Sequence, residues 1–163
     1  MPSLNRQEHI YKSAHKSFFK MCVRYCGNME VAKEIFNDGM LNYFKYEEKN
    51  EVTDKGRFSL IKKILVNKCI DHLRTKKNEH QELDNSFLGE ENEGQLNLMR
   101  EEMFKVIKSF PKQTRLIFNL YIFEGWPHKD IANELNISIH TSSWHVNFGK
   151  KQILELFKVS KER

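Results

Sequence analysis

The segment from Pro127 to Lys151, PHKDIANELNISIHTSSWHVNFGKK, constrains the fold most, because its apolar spacing fits two short helices joined by a tight turn. Ile131, Ala132 and Leu135 line the inner side of the first helix, Asn136 can take the left-handed conformation, and Ile137 plugs the corner between helices. Ser138 then offers an N-cap oxygen to the second helix. On that helix Ser142, Val146, Gly149 and Ile153 share one inward face, so the opposite face can enter a major groove. The pattern is a helix-turn-helix, and its implied partner is duplex DNA. Because apolar helical hairpins are common in all-α proteins, the rest of the chain decides what this one is for.

Charge divides the 163 residues into three blocks. Residues 1–78 hold sixteen Lys/Arg against nine Asp/Glu, residues 79–98 none against six, and residues 99–163 eleven against seven. Two basic blocks flanking an acidic connector fit two polyanion-binding modules joined by a segment that repels the same polyanion. A single charge run is ordinarily solvated surface, but three alternating blocks are less easily explained that way. No apolar run approaches the ~18–20 residues of a membrane span, and MPSLNRQEHIYKS lacks the apolar core of a secretory signal, which points to a cytoplasmic protein. Three cysteines, Cys22, Cys26 and Cys69, suit a reducing compartment and no disulfide.

Periodicity elsewhere is helical throughout. A first helix from Gln7 to about Cys26 carries Ile10, Ala14, Phe18, Met21, Cys22 and Tyr25 on one stripe, and Gly27-Asn28 is a stop and restart. A second, from about Met29 to Tyr46, aligns Ala32, Phe36, Met40 and Tyr43. Polar Glu47 to Gly56 reads as a loop. A third helix, from about Arg57 to Lys77, turns Phe58, Ile61, Ile64, Leu65, Cys69 and Leu73 inward. The connector Asn78 to Asn97 is acidic, glycine-containing and poor in apolar groups, which reads as a linker. Helices resume near Leu98, break at Phe110-Pro111 and continue to Phe123, with Leu116, Ile117, Leu120 and Tyr121 as core candidates and Gly125 beyond the end. The expected fold is therefore all-α: two small helical domains, residues 1–78 and 99–163, joined by an acidic flexible linker at 79–98, the second a four-helix domain ending in the helix-turn-helix.

Lys63, Asn67 and Arg74 on the third helix fall within about 40° of one another, away from the apolar face. Lys and Arg there suit phosphate, and Asn can offer a donor and an acceptor to a base edge. Lys76 and Lys77 extend the charge. A solvated helix face is the plainer account of the same strip.

At these residues the chain resembles a known family. FSLIKKILVNKCIDHLRTKK (Phe58 to Lys77) is similar to the N-x-x-I-D-x-L-R core of the promoter-melting helix of bacterial RNA polymerase sigma factors. AKEIFNDGMLNYF (Ala32 to Phe44) resembles the A-x-D-x-x-Q-x-x-F helix by which those proteins clamp core polymerase. FPKQTRLIFNLYIFEGWPHKDIANELNIS (Phe110 to Ser138) is similar to their L-P-x-x-x-R-x-x-F-x-L-x-x-x-E-G-x-x-x-x-E-I-A-x-x-L-x-I-S pattern. Order, spacing and length point to the minimal, extracytoplasmic-function class (group IV).

The resemblance implies a non-enzymatic initiation subunit that binds core RNA polymerase and directs it to promoter DNA. Glu34, Asn37, Asp38 and Leu41 match the core-binding positions. Lys63, Asn67, Asp71, Arg74, Lys76 and Lys77 match the helix that captures the unpaired minus-ten strand, with the Glu47–Gly56 loop as a candidate base pocket. The linker would thread polymerase channels that otherwise hold nucleic acid, and an anti-sigma factor is a further partner common in this class. For the minus-thirty-five duplex the candidates are His140, Thr141, Ser143, His145, Lys150 and Lys151. The chain departs from the pattern at Leu60, usually Trp, at Asn37, usually Gln, and most at HTSSWHV (His140 to Val146), where relatives often read G-T-V-K-S-R-L. The recognition helix has thus lost most of its basic charge.

Trp144 and Phe148 form an i, i+4 aromatic pair opposite Val146; they can touch thymine methyls or a partner, but packing on a neighbouring surface is the expectation for side chains this large. Cys22 and Cys26 with His15 and His9 fall short of four clear metal ligands, so no metal and no cofactor is expected. No phosphate-binding loop, metalloprotease motif or nucleophile with a base is present in the sequence, so an enzyme is not indicated. The rival class is an ordinary regulator whose helix-turn-helix binds duplex DNA unaided.

Overall fold

A computed structural model describes residues 3–75 and 94–161, which form seven α-helices and no strand among the described residues. The chain divides into two compact units, Met1–Leu88 and Gly89–Arg163. The expected positions Lys76 and Lys77, and most of the expected linker, lie outside the described residues.

The first unit holds α1 (Leu4–Cys26), α2 (Met29–Lys49) and α3 (Asp54–Thr75), each packed on the other two. The joint between α1 and α2 forms as the sequence requires: Gly27 sits at φ 71° and donates its N–H to the Val23 carbonyl, and the Asn28 side chain accepts from the Val31 N–H. Ala14, Tyr25, Phe36, Tyr43, Ile61 and Leu65 are fully or almost fully buried between the helices. Phe19 is buried and Phe18 only half-buried, reversing the expected assignment, because Phe19 completes an aromatic cluster. It stacks on His15 at 4.5 Å and meets the edge of Phe36 at 6.0 Å. Phe58, expected inside, is exposed, and Val66 and Ile70 are core instead.

The expected loop from Glu47 to Gly56 is a correction. Only Asn50 to Thr53 lie between helices; Glu47 to Lys49 extend α2 and Asp54 to Gly56 open α3. The cause is a polar network that composition conceals. Both Glu47 carboxylate oxygens accept from Arg6 of α1, at 2.9 and 3.3 Å, and Oε1 also accepts from the Tyr43 hydroxyl at 2.8 Å. Arg57 of α3 donates through Nε to the same hydroxyl at 3.1 Å. One carboxylate therefore ties all three helices. Burial alone would push the Glu47 carboxyl up, but its hydrogen bonds to Arg6 and Tyr43 and the charges of Arg6 and Arg57 hold it below the usual carboxylate range. Burial, then the bond to Glu47, push the Tyr43 phenol up to about 12.

The second unit is a four-helix domain of α4 (Gly94–Ser109), α5 (Lys112–Ile122), α6 (His128–Leu135) and α7 (Ile139–Lys161). α4 starts four residues before the expected Leu98, since Gln95 and Leu96 are good helix formers despite their linker-like neighbours. In α5 every residue from Thr114 to Leu120 is buried. That includes Arg115, whose Nη1 donates to the Lys108 carbonyl at 2.9 Å, and Asn119, whose Nδ2 donates to the Arg115 carbonyl at 2.8 Å. Gly149 is where α7 passes closest to this core. A Cβ there would collide with the Phe118 ring and lie 3.0 Å from Phe110 Cε2.

Candidate nucleic-acid interface

The helix-turn-helix forms from the residues its sequence singled out. Ile131 and Ala132 are buried, Asn136 is left-handed at φ 53° and ψ 49°, and Ile137 donates its N–H to the Ala132 carbonyl at 3.0 Å. Ser138 Oγ accepts from the Thr141 N–H at 3.0 Å, which caps α7. Ser142, Val146 and Gly149 are buried and Ile153 half-buried, so the inward face is the expected one.

What holds α7 in place was not legible. His128 Nδ1 and Ser142 Oγ lie 2.9 Å apart, joining α6 to α7, and the His128 ring stacks on Tyr121 of α5 at 4.3 Å. Thr114 Oγ1 lies 2.8 Å from His145 Nδ1, joining α5 to α7. Burial pushes the His145 imidazole below its usual value, favouring the neutral ring. Paired with Thr114 through Nδ1, this side chain braces a helix. His145, expected among the groups facing duplex DNA, is thus half-buried and engaged through one ring nitrogen. Four polar residues spread over three helices, with only Ser142 on the inward stripe, are too weak a signal to read from spacing alone.

The remaining candidates of α7 are divided. His140, Lys150 and Lys151 are exposed, whereas Thr141 and Ser143 are half-buried, and Lys150 Nζ stands 5.6 Å from the centre of the Tyr121 ring. Trp144, expected to pack on a neighbouring surface, is 55% exposed. Phe148 does pack, with its ring 6.3 Å from that of Phe110. The outward strip of α7 is thus His140, Trp144, Asn147 and Lys151, of which Asn147 was not a candidate.

In the first unit the expected positions fall on outward faces. Glu34, Asn37, Asp38 and Leu41 occupy one side of α2, all exposed, Leu41 at 56%. Asn37 is oriented by the Tyr11 hydroxyl, which donates to its Oδ1 at 2.7 Å. Lys63, Asn67, Asp71 and Arg74 are likewise exposed along α3. Cys22, Cys26 and Cys69 are buried thiols; hydrogen bonding to Cys22 and Cys26, then burial, keep Cys69 well above the usual thiol value. Among the described residues no group of three or more His, Cys, Asp or Glu is placed to hold a metal, and no helix is long and apolar enough to cross a membrane.

Comparison with known proteins adds one finding. Residues 100–153 match the family model described as sigma-70, region 4, a stretch running from α4 through the helix-turn-helix into α7. The second unit is therefore similar to region 4 of sigma-70 proteins. No curated protein matches the chain.

Proposed function

We propose that this chain is a sigma factor of the extracytoplasmic-function type, which binds core RNA polymerase and directs it to promoters. The observation that carries the reading is the match of residues 100–153 to sigma-70 region 4, on a unit whose helix-turn-helix is geometrically complete. The first unit supplies what a dissociable initiation subunit needs besides duplex binding. Glu34, Asn37, Asp38 and Leu41 offer a mixed acidic and apolar face for core polymerase. Lys63, Asn67, Asp71 and Arg74, continued in sequence by Lys76 and Lys77, offer phosphate and base contacts to an unpaired minus-ten strand. Residues 1–78 and 99–163 are then the two working domains, the acidic stretch 79–98 connects them, and the protein acts in the cytoplasm, with an anti-sigma protein as a candidate regulator.

A second reading is favoured by the extent of the match, which leaves the first unit uncovered: a helix-turn-helix regulator that binds duplex DNA without polymerase. Run-off transcription on pooled genomic template, with purified bacterial core polymerase with and without the protein, separates the two. Discrete new start sites are expected. Duplex binding with no association with core would overturn the sigma reading in favour of the regulator.

A further inference from the structure

The outward strip of α7 is built around an aromatic side chain. Trp144 leaves 55% of its surface to water, yet its indole has two aromatic neighbours. One face stacks on Phe148 with 5.5 Å between ring centres and 19° between planes. Phe148 in turn meets the edge of Phe110, which is 4% exposed and belongs to the core. The His145 ring also stands against it, at 5.0 Å and 84° between planes, and His145 is itself paired with Thr114. An exposed large apolar side chain ordinarily swings among rotamers; this one is oriented before any partner arrives, so little ordering cost remains on binding.

Its neighbours say which partner. His140, Trp144, Asn147 and Lys151 lie at i, i+4, i+7 and i+11, within about 60° of one another on the helix. Lys151 suits a phosphate, and Asn147 has the paired donor and acceptor that match adenine N6 and N7. Among base edges in the major groove, the one apolar group is the thymine C5-methyl. An indole face beside an amide on a helix-turn-helix recognition helix therefore matches an A·T pair: methyl to Trp144, adenine edge to Asn147. We infer that Trp144 is a specificity-determining residue that reads thymine methyl groups in the upstream promoter element. The inference rests on the proposed sigma function. It also accounts for a recognition helix with few cations, since contact with a methyl substitutes apolar burial for charge.

The test uses core polymerase reconstituted with the full chain, at a promoter found by run-off transcription. Each thymine of the upstream element is replaced in turn by uracil, which removes only the methyl, and holoenzyme binding is measured by competitive footprinting. One or two replacements are expected to weaken binding about threefold to fourfold, the worth of one buried methyl. Trp144→Ala should bind the thymine template as the wild type binds the uracil one, and should show no further penalty at those positions. Trp144→Phe should restore part of the discrimination. Uracil penalties that persist unchanged in Trp144→Ala, or that are missing from the wild type, overturn the inference while leaving the sigma function standing. Failure to obtain any start site with core polymerase overturns the function itself, and the inference with it. An unchanged thermal midpoint for Trp144→Ala establishes that the variant is folded.

Discussion

The two helices assigned to nucleic acid, α3 and α7, use their polar side chains in opposite ways. On α3 the core is closed by Ile61, Leu65, Cys69 and Ile70, and the strip of Lys63, Asn67, Asp71 and Arg74 is left entirely outside. On α7, Ser142 is buried and His145 half-buried, both spent on joining helices, while Trp144 is outside. The difference follows from helix length and neighbours. α3 packs its apolar stripe against two long helices, α1 and α2, and its polar tie to them, Arg57 to Tyr43, lies in its first turn, away from that strip. α7 packs on α4, α5 and α6, the last two of only 11 and 8 residues, and its bonds to α5 and α6 fall within its first two turns, on the segment that carries the candidate contacts. On such a helix, polarity is a poor guide to which side chains meet a ligand.

The largest effect expected tests whether polar residues in the first unit are all surface. Glu47→Ala removes the carboxylate shared by Arg6, Tyr43 and Arg57, and should cost about 2 kcal/mol, less than for a fully buried pair because Arg6 is 41% exposed. A urea midpoint shifted by less than ~0.5 kcal/mol would return Glu47 to the category of solvated loop residue. Acidification should mimic the variant. The native carboxyl lies below its unfolded value, so its contribution is complete above pH ~4.5 and is lost as pH falls through the lower, folded value.

This network marks where sequence reasoning stops. Helix number, the Gly27-Asn28 joint, the Asn136 turn, the Ser138 cap and the inward face of α7 were all legible, because each rests on local conformation or period. The end of α2, the choice of Phe19 over Phe18 and the tie from Thr114 to His145 were not. Each depends on a partner far away in the chain: Arg6 lies 41 residues from Glu47, and Thr114 31 residues from His145. The candidate faces on α2 and α3 were legible for the same reason as the helices, since an outward strip is fixed by what the inward one buries. On α7 the inward stripe was right, yet its half-turn margins held His145, where one hydrogen bond decides between brace and contact.

The tie itself should be worth about 1–2 kcal/mol. Thr114→Val keeps the shape and removes the hydroxyl that pairs with His145 Nδ1, and the loss should be read in the thermal midpoint at pH 8. The pH dependence has a definite sign. The folded imidazole titrates below its unfolded value near 6.5, so the stability is fully present above that pH and declines as pH falls from there through the folded value. His145→Asn should flatten that limb of the curve. An equally steep limb in the variant would show that His145 is solvated, and would restore it to the candidate DNA contacts.

Asp38→Arg addresses the outward face of α2. Asp38 is exposed, so stability should hold within about 0.5 kcal/mol while affinity for core polymerase falls roughly tenfold, about 1.4 kcal/mol. An unchanged pull-down would remove it from the proposed interface.

The smallest effect on the fold is expected for Asn67→Ala, and for that reason it sharpens the comparison most. If α3 keeps its polar strip outside for a ligand, truncating Asn67 should leave the denaturation midpoint unchanged within about 0.5 kcal/mol. Under the proposed function it should also leave core binding intact and reduce promoter opening several-fold in permanganate footprints, because a base contact is lost without a packing contact. Thr114→Val has the opposite profile: a loss of stability first, with DNA affinity following only as far as the population of correctly rotated α7 declines. Were Asn67→Ala to destabilise the fold as Thr114→Val does, α3 would be a braced helix like α7, and its strip would lose the physical argument that it is kept outside for a strand of DNA.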